Sequence, residues 1–224
     1  MCKLHRCRSR DVSRIALGLA LVLSGCQGIQ SPVPYYIDRD LTPVWLNEAS
    51  ANGVHRIPEF SLLNQAGERV TEKDFDDKVV IASFFFTNCA QVCPILKSRL
   101  STLQDDYLDD DRVMLVSHSI IPEADSVSVL ARYAERNGVA RRTWQLLTGT
   151  REELYGLARD GYFVNVDTGA GDTQGTDLIH TETILLLDGE RRIRGVYSGT
   201  IELEMVRIRQ DIEELLAVEQ EQLQ

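Results

Sequence analysis

Positive charge is scarce in this sequence. Its 224 residues carry 24 Lys and Arg against 34 Asp and Glu, a formal net charge of −10. Nucleic-acid binding needs clustered basic side chains to neutralise phosphates, so no DNA or RNA partner is expected. Long apolar runs are also lacking. The run IALGLALVL holds nine residues, whereas a helix that spans a bilayer needs roughly 20. There is no internal repeat and no phosphate-cradling glycine loop. The stretch DTGAGDTQGTD, residues 167–177, lacks the closing Glu and regular acids of a calcium loop, and its expected role is a solvated extension before the next strand. Cysteine is sparse, at five residues. What remains is a chain with 43% hydrophobic content, enough for one globular domain with a real core.

The N-terminus has the features of an export signal. A basic stretch, MCKLHRCRSRDVSR, precedes the short apolar run, and the run ends in Leu23-Ser24-Gly25-Cys26. That ending resembles the lipobox of bacterial lipoproteins, which implies cleavage before Cys26 and lipid attachment to its sulfur. An ordinary cleaved signal followed by a chance cysteine is the alternative. Gln27 stands where an inner-membrane retention signal would have Asp, which leaves outer-membrane sorting open. The expected organisation is a signal peptide over 1–25, a lipid-anchored tether over 26–55, a domain over 56–219 and a polar tail over 220–224. Cleavage would leave 19 basic against 33 acidic residues, a charge of −14. It would also leave Cys89 and Cys93 as the thiols of a mature chain facing the periplasm or another extracytoplasmic space, which is oxidising.

The rest of the chain alternates strand and helix patterns. RIPEFSLLNQAGERVT predicts a hairpin turned at Gln65-Ala66-Gly67. VVIASFFF and RVMLVSHSI are apolar enough for strands buried on both faces. Val92, Leu96, Leu100, Leu103 and Tyr107 recur at helical spacing. DSVSVLARYAERNGV predicts a helix stopped at Gly138, and TWQLL a short strand. TGTREELYGLARD predicts a helix with a Thr150–Glu153 capping box. ETILLLDGERRIRGVYSG predicts a hairpin turned at Asp188-Gly189. A final helix should dock through Ile201, Met205, Ile208, Ile212 and Leu215. The segment YYIDRDLTPVWL is apolar enough to pack on the domain edge. This order predicts an open α/β sheet flanked by helices.

The segment TNCAQVC places Cys89 and Cys93 beyond the carboxyl end of a buried strand, where open α/β sheets carry their active groups. Pro94 fits only the first turn of a helix, so both thiols should lie near a helix N-terminus, whose dipole favours thiolate. The C-x-x-x-C spacing alone is compatible with a structural disulfide, a redox pair or a metal site. The histidines bear on this choice. His180 lies at the end of the Gly- and Asp-rich loop, just before an apolar strand. Two thiolates and one imidazole form a soft, three-coordinate set that suits copper as Cu(I), Cu(II) or both. His118, at a strand end, is the second choice as a ligand or as a group supporting one. His55 is expected to be an ordinary surface or hydrogen-bonded histidine.

Several ordered motifs resemble the SCO (SenC/PrrC) family of copper chaperones. These are FFFTNCAQVCPIL, SHSIIPEADSVSVLARYAERNGV, WQLLTG and IHTETILLLDGERRIRGVYSGT, over roughly residues 55–217. Ala90, Ile121 and Ile179 depart from the family's usual Pro, Asp and acidic residue. The resemblance implies a thioredoxin-like fold with an N-terminal hairpin and a hairpin-like insertion before the histidine strand. It implies Cys89, Cys93 and His180 as copper ligands, and a membrane-anchored chaperone that serves the CuA centre of a haem-copper cytochrome oxidase. Its partners would be the oxidase subunit bearing that site and another copper carrier or a thiol reductant. A thiol–disulfide oxidoreductase, in which Cys89 attacks a client disulfide and Cys93 resolves it, is the competing expectation. It needs both thiols but not His180. A plain structural domain with a buried disulfide is the third.

Overall fold

The computed structural model describes residues 31–89, 93–164 and 182–222. Two short antiparallel pairs lead the chain: β1 (Tyr35–Tyr36) with β2 (Pro43–Val44), and β3 (Ser61–Leu63) with β4 (Arg69–Thr71). The second pair is the expected hairpin. Gly67 takes φ +76° in its turn, a left-handed conformation that glycine adopts without strain.

The main sheet is built from β5 (Val79–Phe85), β6 (Val113–Ser119), β7 (Trp144–Leu147), β8 (Thr183–Leu187) and β9 (Ile193–Ser198). Their spatial order is β7-β6-β5-β8-β9. β5, β6 and β7 run parallel, while β8 and β9 run antiparallel to their neighbours. The fully apolar runs predict this centre: every residue of β5 and β6 is buried. Side chains alternate between two cores. Val79, Ile81 and Phe85 enter one, and Val80, Ala82 and Phe84 enter the other.

Helix α1 (Cys93–Asp106) packs Leu96, Leu100 and Leu103 into the first core, as their spacing predicts. Helix α2 (Val127–Asn137) ends on Gly138 at φ +68°, the predicted left-handed stop. Helix α3 (Arg151–Gly156) begins with the predicted capping box. The Thr150 hydroxyl accepts from the Glu153 N–H, and the Glu153 carboxylate accepts from the Thr150 N–H. Helix α4 (Glu202–Gln222) docks through Met205, Ile208, Ile212 and Leu215. Ile201 departs from the expected stripe. It precedes the first helical residue and is 52% exposed, while Leu216 is buried in its place.

The segment before the domain is docked from residue 31 onward. Arg194, only 3% exposed, reaches across from β9 to hold it. Its guanidinium donates to the carbonyls of Val33 (2.6 Å) and Pro34 (3.0 Å), to Ser31 Oγ (2.5 Å) and to Asp188 Oδ2 (2.9 Å). It also lies 3.8 Å from the centroid of the buried Tyr35 ring. Arg192 bridges Asp188 and Glu48, each at 2.8 Å. The buried Asp188 carboxylate therefore has partners as it leaves water, which burial of charge requires, while Glu48 meets Arg192 from the exposed side. The β8–β9 connection also differs in detail from the two-residue turn expected at Asp188-Gly189. Asp188 N–H donates to the Arg192 carbonyl, and the left-handed residue is Arg191, at φ +65°. The Asp188 carboxylate accepts from the backbone N–H groups of Glu190 and Arg192, which fixes this wider loop. The 167–177 extension and the hairpin-like insertion lie outside the described residues.

Candidate metal centre

The thiols are carried on the connection from β5 to α1. β5 ends at Phe85, and the chain folds back so that the Cys89 N–H donates to the Phe86 carbonyl at 3.4 Å. Cys93 opens α1, with Pro94 next. That is the placement Pro94 predicts, because proline lacks the N–H that a helix's first turn leaves without an intrahelical partner. The cysteines differ in access: Cys93 is buried and Cys89 is half-buried. An open cleft of about 470 Å³ lies beside them, lined by Tyr133, Lys97 and Arg136 among others. Burial, followed by the negative charge of Cys93, Cys89 and Asp125, pushes the Tyr133 hydroxyl up to about 12.

A buried carboxylate supports this turn, and the sequence pattern did not single it out. Asp125 is 1% exposed. It accepts from Thr87 Oγ1 at 2.5 Å, from the Thr87 N–H at 3.3 Å and from Ser119 Oγ at 2.7 Å. Thr87 is two residues before Cys89, so Asp125 fixes the approach to the first thiol. In the sequence Asp125 has the appearance of a helix-start residue. The cap is instead Ser126, and Asp125 points back under the turn. The preceding loop is secured from outside, where Arg151 donates to both oxygens of Glu123 at 2.8 and 2.7 Å.

His118 does not join the thiols. It pairs in register with Phe84, so its side chain enters the second core, on the face of the sheet opposite Cys93. Its ring is fully buried beside Phe60, Phe84 and Tyr162, with Nε2 2.9 Å from the Tyr162 hydroxyl. Nδ1 has no hydrogen-bond partner among the described residues, and burial lowers the histidine to about 3, so it is neutral at ordinary pH. The expectation that its strand-end position could bring it to the thiols fails on the two-residue alternation of a strand: Ser117 and Ser119, its neighbours, take the other face. His55 is hydrogen-bonded, as expected, with Nε2 2.7 Å from the Gly161 carbonyl.

Cys26 and His180 lie outside the described residues. Among the described residues, no three His, Cys, Asp or Glu side chains gather into a ligand set. The strand that follows His180 can still be located. Ser83 of β5 faces Ile184 of β8, so β8 begins at the end of the sheet where β5 delivers Cys89. The close fit there depends on Gly199, where a Cβ would lie 2.3 Å from Leu96 Cδ1.

The family model described as SCO1/SenC matches residues 48–217. The chain belongs to this family. The SCO1 protein homolog of Bacillus subtilis is 26% identical over 147 residues, covering 65% of this chain and 75% of that protein. The human mitochondrial SCO1 homolog is 33% identical over 140 residues, covering 58% of this chain but only 44% of its own length. Among solved SCO structures, a SCO1/SenC family lipoprotein from Bacillus anthracis superposes with a TM-score of 0.65 at 27% identity, covering 72% of this chain and 95% of that one. Arabidopsis thaliana ScoI with copper bound superposes at 0.53 and 27% identity, covering 68% and 98%. The SCO fold is the thioredoxin-like sheet flanked by helices that the sequence motifs imply.

Proposed function

We propose that this SCO chain is a copper-binding metallochaperone for the CuA centre of a haem-copper cytochrome oxidase, exported and held to a membrane by lipid on Cys26. The observation that carries the reading is the pair of thiols on the Phe86–Cys93 connection, at the start of α1 and beside an open cleft. The copper-bound Arabidopsis relative supports it. Cys89, Cys93 and His180 would hold the ion, as Cu(I), Cu(II) or both. The donor set fits copper chemically, since thiolate and imidazole are the ligands it favours. The helix N-terminus favours the ionised thiols that a metal requires. The client would be the oxidase subunit that bears the CuA site.

One observation favours a second reading, a thiol–disulfide oxidoreductase. The half-buried Cys89 and buried Cys93 have the asymmetry of an attacking and a resolving thiol. The two readings separate at His180. The reduced chain lacking residues 1–25 and carrying Cys26→Ser is titrated with copper beside the same chain with His180→Ala. One tightly bound copper that the histidine variant loses or weakens supports the chaperone. Absence of specific copper binding, or equal binding by both chains, overturns the three-ligand site and directs measurement to the Cys89–Cys93 reduction potential.

A further inference from the structure

The lipid anchor proposed above and the described chain meet at one end of the molecule. Ser31 is the first described residue. Its side chain accepts from Arg194, and its N–H donates to the Leu46 carbonyl at 3.1 Å. Five residue steps separate Cys26 from Ser31, and a fully extended chain covers at most about 18 Å over that interval. Whatever path those residues take, lipid on Cys26 keeps Ser31 within that distance of the bilayer surface. Docking of residues 31–55 therefore shortens the expected tether from some thirty residues to at most five residue steps.

The surface around Ser31 is suited to that position. Trp45, beside Leu46 in the chain, is 51% exposed. The other tryptophan, Trp144, is 2% exposed. A half-exposed indole has the amphipathic character of residues at a headgroup boundary. Four acidic side chains around the Asp188–Arg192 loop are paired, Glu48 and Asp188 with Arg192, Glu190 with Arg56, and Asp76 with Arg191, while the neighbouring Asp77 has no ion pair among the described residues. That pairing lowers the repulsion of anionic lipid at the loop itself, in a chain that would carry −14 after cleavage.

We infer that the end of the sheet bearing Ser31, Trp45 and the Asp188–Arg192 loop lies against the lipid surface, with Trp45 at the headgroup level and the thiols at the far end. The inference rests on the lipid-anchor reading. β5 begins at the loop end, where the Asp77 N–H donates to the Gly189 carbonyl, and runs away from it toward Cys89. Its seven residues span roughly 23 Å. The thiol cleft is thus lifted about one sheet length above the bilayer, facing a client that projects outward rather than one buried in the membrane plane.

The test uses the full chain purified from bacterial membranes, with lipid on Cys26 verified by mass spectrometry. It is reconstituted into phosphatidylcholine–phosphatidylglycerol vesicles containing shallow brominated lipids. With Trp144→Phe, Trp45 is the sole tryptophan and is excited selectively over the tyrosines. Where that substitution disturbs folding, the difference between the parent and Trp45→Phe isolates the same signal. We expect at least twofold quenching by bromolipid and matching protection from acrylamide. A reporter placed by Leu203→Trp, in a background lacking the native tryptophans, should be unquenched, because Leu203 is 73% exposed on α4 at the thiol end. Lipidated chain whose Trp45 is unquenched and open to acrylamide overturns the orientation and leaves the anchor intact. Equal quenching of both reporters also overturns it. A Cys26 without lipid removes the anchor, and the inference with it.

Discussion

The two ends of the five-stranded sheet are held by opposite chemistry. At the Asp188–Arg192 end, buried guanidiniums meet carboxylates and carbonyls. Arg194 alone ties β9 to a segment about 160 residues earlier in the chain. At the thiol end, a buried carboxylate meets only neutral donors in the bonds described, two from Thr87 and one from Ser119. The first end is a closed ionic clasp whose strength goes into folding. The second holds the cysteine connection by one carboxylate and leaves the thiols beside open space. A site that accepts and gives up a ligand is better served by the second arrangement, because coordination must be able to change.

Breaking the clasp should have the largest effect. Arg194→Met removes one of the two guanidiniums on Asp188, which keeps Arg192, and leaves the Val33 and Pro34 carbonyls without their donor, at about 1–3 kcal/mol for each buried group left unsatisfied. Urea unfolding should show this loss, while the fraction still folded retains the copper stoichiometry of the parent. A variant that loses copper in proportion to stability would mean that the ends are not separable.

Breaking the other end should cost less stability and more function. Asp125→Ala strands the Thr87 and Ser119 donors, at about 1–3 kcal/mol for unsatisfied buried groups. We expect copper affinity to fall by more than tenfold while the melting transition stays cooperative. With Asp125 in place, Thr87→Ser, which keeps the hydroxyl, should retain most of the affinity, and Thr87→Val should lose it. Equal affinities for Ser and Val at this position would refute a positioning role for the Asp125–Thr87 bond.

The smallest effect concerns the face opposite the thiols. His118 titrates near 6.5 when unfolded and near 3 when folded. Its folded value is lowered, so the unfolded chain binds the extra proton. Its contribution to stability is complete above pH 6.5 and is lost as pH falls toward 3, with a slope of about 1.4 kcal/mol per pH unit for one proton. His118→Phe should flatten that part of the profile, measured by denaturant midpoints from pH 7 to 4. An unchanged slope would assign the acid sensitivity to other groups.

The parts of the fold set by local chemistry were legible in the sequence. Apolar runs marked β5 and β6, Gly138 marked the end of α2, and Thr150 with Glu153 marked the start of α3. Pro94 after Cys93 placed the thiols at a helix start. Features that depend on the third dimension were harder to read. ERRIRG looks like an exposed, charged strand, yet Arg192 and Arg194 are buried because a distant segment supplies their partners. Asp125 resembles a cap residue until the loop before α2 turns it under Thr87. His118 falls on the face opposite the thiols because strand parity, rather than closeness to the strand end, decides where a side chain points. Ile201 matched the helical spacing but lies just outside the helix, where no partner covers it. His180 was identified as a ligand candidate by its loop and family context, and its placement lies outside the described residues.

The Asp125–Thr87 bonds also have a consequence in time. They join residues 38 positions apart, and a chain is synthesised from its N-terminus. Cys89 and Cys93 therefore exist before the carboxylate that will set their geometry, and well before β8 closes beside β5. A partly made or partly folded chain carries two thiols with no support beneath them, exposed to whatever oxidants or stray metals it meets. On the chaperone reading, the site would come into being only when strands β5, β6 and β8 have come together, so maturation of the protein would itself gate when copper can be taken up.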